Sequence, residues 1–133
     1  MTVAMLTIVA SLAALKASGT VAHHAGARSA CVGARSWLVA GSLIGRNVTI
    51  KGPVVETYFA ASSTGSPTFL DIGRSYPDAH RVQVVIWIES RATFGRPEVR
   101  YRGRTICVRG LVSSYDGVLE IIADSRSQIA IAP

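Results

Sequence analysis

Within fourteen residues the chain carries Arg91, Arg96, Arg100, Arg102 and Arg104, interleaved with Phe94 and Tyr101 and opposed only by Glu98. A guanidinium takes a phosphate through two parallel N–H bonds, and an aromatic face accepts a stacked base. Together these residue types suit a non-specific grip on a single strand, where each stacked base is worth about 1–3 kcal/mol. The bland account of the same run is a solvated loop face, since clustered charges usually sit in water.

Nothing in the sequence assembles a catalytic constellation. Of the three histidines, His23 and His24 fall in the N-terminal segment and His80 in a turn. Asp71, Asp78 and Glu89 are scattered, without paired-carboxylate spacing. No G-x-S-x-G, H-E-x-x-H, C-x-x-C or P-loop pattern occurs. The expectation is a binding module and not an enzyme, with no metal and no cofactor.

The elements that would position the belt are strands. Ser36–Gly45 predicts a short helix first: Ser36 caps it, Gly45 ends it in a left-handed turn, and Trp37, Ala40, Leu43 and Ile44 share a face. Asn47–Phe59 alternates as a first strand and breaks at Gly52-Pro53, where a bulge lets one long strand serve both halves of a small barrel. After the polar loop Ala60–Ser66, Thr68–Gly73 is the second strand, with Thr68, Leu70 and Ile72 opposite Phe69 and Asp71. Arg74–His80 is a turn built on Pro77-Asp78. Arg81–Glu89 is the third strand, with Val82, Val84, Ile86 and Ile88 facing one way and Gln83, Val85 and Trp87 the other. Ser90–Gly103 lacks periodicity and reads as one helical turn near Ser90–Phe94. Arg104–Tyr115 is the fourth strand, Asp116-Gly117 a two-residue hairpin turn, and Val118–Ala123 the fifth strand. Ser127–Ile129 closes the domain.

Five strands, the first one bent, with a non-strand connection between the third and fourth, match an all-β oligonucleotide-binding (OB) barrel. Trp37–Ile129 also resembles OB domains found as small exported bacterial proteins or fused to secreted nucleases. The resemblance is carried by GRNVTIKG (Gly45–Gly52), GSPTFLDIG (Gly65–Gly73), Tyr76-Pro77-Asp78, Val84–Trp87, YRGRTICVRG (Tyr101–Gly110) and Tyr115–Val118. It implies a binding surface across the second and third strands, flanked by the loops between strands one and two and between four and five. Phe69, Gln83 and Trp87 fall on that surface, Arg74 and Arg81 at one edge, and Tyr115 in the second loop. Duller roles compete: Trp87 packing under the Trp37 helix, Phe69 in the core, and Tyr58, Tyr76 and Tyr101 plugging the barrel ends.

Composition bounds the rest. The 133 residues allow one domain. The net charge of +6 splits evenly, +3 from residues 1–40 and +3 from the remainder, so the folded part is only mildly basic. Twelve of the fourteen cations are Arg, which suits phosphate contacts and equally reflects GC-rich codon usage. Val3–Leu15 is thirteen apolar or small residues, too short for a stable membrane span and of the length of a signal-peptide core. With cleavage after Ala27, residues 1–27 read as a signal peptide, 28–45 as an extension with the short helix, and 46–131 as the barrel. If the protein is exported, Cys31 and Cys107 can form a disulfide; in the cytoplasm they read as small buried hydrophobes. The expected partner is single-stranded DNA or RNA with little sequence preference. The alternative is a protein or envelope component on the same scaffold, without nucleic acid.

Overall fold

The computed structural model describes residues 30–133, and the expected leader over residues 1–27 lies outside the described residues. The described strands are β1 (Arg35–Ser36), β2 (Asn47–Phe59), β3 (Thr68–Ile72), β4 (Val82–Ile86), β5 (Thr105–Leu111), β6 (Ser113–Tyr115), β7 (Val118–Ile122) and β8 (Ile129–Ile131). Two short helices, α1 (Ile88–Phe94) and α2 (Pro97–Arg100), connect β4 to β5. The hydrogen-bonded path runs β6-β7-β4-β3-β2-β5-β8, with β1 parallel to β2 at its side.

The first strand is long enough to pair twice. Asn47–Pro53 lies antiparallel to β5 and Val54–Phe59 antiparallel to β3. β7 runs parallel to β4, and the Asp116-Gly117 turn joins it to β6 with both residues at positive φ. That is the sequence-expected hairpin, whose type I′ geometry suits Asp-Gly. The ladders do not close the expected five-stranded barrel. The path is an open, mixed run of seven strands, eight with β1: the predicted fourth strand is parted at Val112 into β5 and β6, and short β1 and β8 pair with β2 and β5. There Val112 bonds with the Gly45 N–H and the Arg46 carbonyl instead of a neighbouring strand. The strand order and the parallel β4–β7 pair make this an OB-like, partly open Greek-key barrel.

Inside lie Ile50, Val54, Leu70, Ile72, Val82, Val84, Ile86, Ile106, Val108 and Ile121, all buried. Each contributes about 1.5–3 kcal/mol by leaving water. Gly110 lets β5 pass close over β7, since a β-carbon there would meet Ile121 Cγ2 at 2.6 Å.

Three expected elements are corrected. The segment after Ser36 is a 3₁₀ helix, Trp37–Leu43, capped as expected by the Ser36 side chain. Three residues per turn put Trp37, Ala40 and Leu43 in line, and Ile44 falls outside, exposed. The third strand ends at Ile86 and not at Glu89, because Trp87 already caps α1. Ser90–Gly103 is not a loop with one turn: α1 and α2 turn Phe94, Pro97 and Tyr101 inward as a plug. Seven- and four-residue helices are too short to show a period.

Cys107 faces away from Ile106 and Val108 and is bonded to Cys31, with Cα atoms 5.5 Å apart. The bond ties the chain ahead of β1 to the outside of β5.

Candidate functional site

A bulge sets the face that matters. The β2–β3 register shifts between Val54 and Glu56, two to three residues beyond the expected break at Gly52-Pro53. Before it, Ile50, Gly52 and Val54 point inward; after it, Glu56 and Tyr58 point out. A one-residue slip exchanges the faces of everything that follows. The outward residues then align across the sheet by register: Tyr58 opposite Phe69, Phe69 opposite Val85, and Glu56, Asp71 and Gln83 in the next row.

On this face lies a groove of about 610 Å³, lined by Glu56, Tyr58, Phe69, Tyr76, Arg81, Gln83, Tyr115 and Asp116, with Thr57 and Val118. Tyr58, Tyr76 and Tyr115 are 63%, 70% and 68% exposed, and Phe69 is half-buried among them. Rings left in water stabilise the fold little, so three of them around one hollow, with the half-buried Phe69, form a ready stacking surface.

A polar chain underlies the rings. Gln83 Nε2 donates to Asp71 Oδ1 at 3.1 Å, and Arg81 Nη1 donates to the Asp78 carbonyl at 2.7 Å. Arg81 Nε lies 3.3 Å from Asp71 Oδ1 without the alignment of a hydrogen bond, leaving that N–H buried and unpartnered. Burial pushes the Asp71 carboxyl up, against the Gln83 hydrogen bond and the Arg81 charge, which both hold it down. The Arg81 guanidinium sits 5.3 Å from the Tyr76 ring centroid. Glu56 Oε2 accepts the Tyr76 N–H at 2.9 Å. Beside this row, burial also raises Glu120, which pairs with Gln83 across β4 and β7.

Of the expected site residues, Phe69, Arg81, Gln83 and Tyr115 meet in the groove. Arg74 lies in a neighbouring hollow of about 530 Å³ with His80 and Gly117, 3.6 Å from Asp78. The two hollows adjoin at the β6–β7 turn, with Asp116 in one and Gly117 in the other. Trp87 stands beyond the end of β4 and rests against Gly65, outside the groove lining.

The arginine belt is spread over α1, α2 and the turn into β5, and none of its cations lines the groove. Arg91 is held by Glu98 through bonds of 2.7 and 2.9 Å and lies 3.8 Å over the Phe59 ring. These bonds lower the Glu98 carboxyl. Arg91 is therefore a structural cation. Tyr101 is 1% exposed, with its hydroxyl raised by burial, so as an exposed stacking ring it is corrected to core. Arg96, Arg100, Arg102 and Arg104 are exposed.

Tyr58 and Tyr76, expected as end plugs, and Glu56, which carries no expectation from the sequence, all line the groove. The available signal was the outward parity of Glu56 and Tyr58 past a bulge, and it required placing that bulge correctly.

No protein-family model matches the sequence, and neither does any curated protein. Solved structures do. Asparaginyl-tRNA synthetase from Pyrococcus horikoshii, complexed with asparaginyl-adenylate, is 22% identical over 68% of this chain and 20% of that one, with a TM-score of 0.47. An OBody bound to hen egg-white lysozyme is 20% identical over 68% of this chain and 81% of its own, with a TM-score of 0.47. The S. pombe Stn1–Ten1 complex gives 22%, 58% and 53%, with a TM-score of 0.43. The chain spans a fifth of the synthetase's length. All three scores lie under 0.5, and the fold assignment rests on the strand order and not on these likenesses.

Proposed function

We propose that this is a non-catalytic OB module that binds single-stranded nucleic acid by stacking bases on Tyr58, Phe69, Tyr76 and Tyr115. The observation that carries the reading is the groove itself. Three exposed tyrosines and a half-buried phenylalanine surround one hollow on the outer face of β2–β4, reaching the β6–β7 turn. That is where OB domains take oligonucleotides. Phosphates would meet Arg74 at the rim, while Arg81, buried beside Asp71, lies beneath the rings and the belt acts only through its field. The Cys31–Cys107 bond favours an oxidising compartment, in line with an exported protein.

The test is fluorescence anisotropy of labelled mixed-sequence DNA and RNA 12-mers, titrated with the full chain at about 50 and 200 mM salt. Micromolar or tighter binding that weakens in a Tyr58→Ala/Tyr115→Ala variant supports the reading. Flat traces, or equal binding by the variant, overturn it.

A second reading has its own observation. Glu56 and Asp116 outnumber Arg81 in the lining, and tyrosines beside acceptors also suit a neutral oligosaccharide, the other ligand class of OB barrels. Flat oligonucleotide traces together with salt-independent retention on an envelope glycan would favour it.

A further inference from the structure

The groove's hydrogen-bonding atoms have a polarity that its aromatic rings do not reveal. Asp71 Oδ1, beside the Arg81 guanidinium, accepts from Gln83 Nε2, so the NH2 end of Gln83 is spent on it. Gln83 Oε1, which makes no bond among the described residues, is thereby left as the acceptor for a ligand. Glu56 has one carboxylate oxygen on the Tyr76 N–H, which orients the side chain and leaves the other oxygen free. Asp116 adds a third acceptor at the lip. The donor side is poorer. Arg81 has Nη1 on the Asp78 carbonyl and Nε buried beside Asp71, and Nη2 makes no bond among the described residues.

The tyrosine hydroxyls can donate or accept and so do not discriminate; the groups of fixed polarity that a stacked base would meet are the acceptors of Gln83, Glu56 and Asp116 and the one Arg81 guanidinium. The edges of the bases differ in what they return. Thymine and uracil flank one imino N–H with two carbonyls, which would face Glu56 and Gln83 acceptor to acceptor. Cytosine and adenine carry an exocyclic NH2 at the corner of the ring with a ring-nitrogen acceptor beside it. Such an edge gives an N–H to Gln83 or Glu56 and accepts from Arg81. A buried acceptor facing another acceptor costs more than a neutral contact, so the discrimination comes chiefly from the mismatched base.

We propose that the groove selects amino-bearing bases over thymine and uracil, with Gln83 Oε1 and Glu56 as the reading acceptors and Arg81 as the donor. This rests on the nucleic-acid reading of the groove. It replaces the sequence-based expectation of little preference with a stated one.

The experiment compares labelled (dC)10 and (dT)10 at pH 7.5 on the unaltered chain, then on Gln83→Met and Glu56→Gln. The expected result is about tenfold tighter binding of (dC)10, narrowing toward equality in both variants. Gln83→Met removes the acceptor at nearly constant size, and Glu56→Gln keeps an oxygen for the Tyr76 N–H. Should either variant fold poorly, the comparison on the unaltered chain still decides. Equal binding of both oligonucleotides overturns the selectivity and leaves the nucleic-acid reading standing. Binding of neither overturns both.

Discussion

Trp37 and Gly73 occupy adjoining space so closely that a β-carbon on Gly73 would overlap the indole. Gly52, on the neighbouring strand, is pressed by the same ring, at 2.7 Å from Trp37 Cδ1 to where its β-carbon would stand. Two glycines thus form the seat on which the 3₁₀ helix caps one end of the barrel. Gly73 also has φ +80°, a conformation other residues adopt with strain.

Gly73→Ala should therefore destabilise the fold by at least about 2 kcal/mol, from overpacking and backbone strain together. Urea unfolding followed by tryptophan fluorescence measures it. A change below about 0.5 kcal/mol would mean the indole can leave its seat freely.

Tyr58→Ala and Tyr115→Ala should leave the unfolding midpoint nearly unchanged, because both rings are already in water. Each should weaken oligonucleotide binding by about 1–3 kcal/mol, roughly five- to 150-fold. Equal losses of stability and binding would assign the rings to the fold and not to a ligand.

Salt separates the groove from the belt. If Arg74 supplies the phosphate contact of the groove, log K should fall against log salt with a slope of about −0.7. Contacts by Arg96, Arg100, Arg102 and Arg104 would give about −2.8. Arg100→Glu/Arg102→Glu should accordingly weaken binding by only about two- to fivefold at 50 mM and by little at 200 mM, where screening is shorter-ranged. A tenfold loss that persists at the higher salt would return the contact surface to the belt.

The Arg91–Glu98 pair should appear in the acid limb of stability. Arg91 holds the folded Glu98 carboxyl below its ordinary value of 4.5, so the associated stability is fully present above that pH. It is lost as pH falls through the lowered, folded value. Glu98→Gln should cost about 2 kcal/mol at pH 7, with the difference from the parent shrinking below pH 4.5. Asp71 acts in the opposite sense, since burial raises it: its contribution is present below its ordinary value and is lost as pH rises through the folded one. Urea midpoints of both proteins between about pH 3 and 7 check the sign.

Reducing the Cys31–Cys107 bond, which spans 76 positions, should lower stability by about 2–4 kcal/mol, mainly by freeing the unfolded chain. Oxidised protein and a Cys31→Ser/Cys107→Ser variant, compared in urea, measure the difference. No shift in midpoint would show that the tie constrains only the segment ahead of β1.

Features that depend only on neighbours along the chain are readable before any packing is known. The alternation in Thr68–Ile72 and Val82–Ile86, the Asp116-Gly117 turn, the Ser36 cap and the outward parity of Cys107 were legible because each is a local pattern of two to seven residues. From these the strand order of an OB-like barrel followed, and with it the face that holds Phe69, Gln83 and Tyr115. Tertiary structure decided the rest. It placed the bulge between Val54 and Glu56 and so turned Tyr58 and Glu56 into the groove. It gave Arg91 to Glu98 and sank Tyr101 into the plug, which emptied the belt of its aromatic surface. An arginine beside an acid seven residues away, or an aromatic between charges, has the same local sequence whether it meets solvent or core. Only the packing of α1 and α2 against β2 and β3 tells them apart, because burial and ion pairing are properties of what lies across the fold.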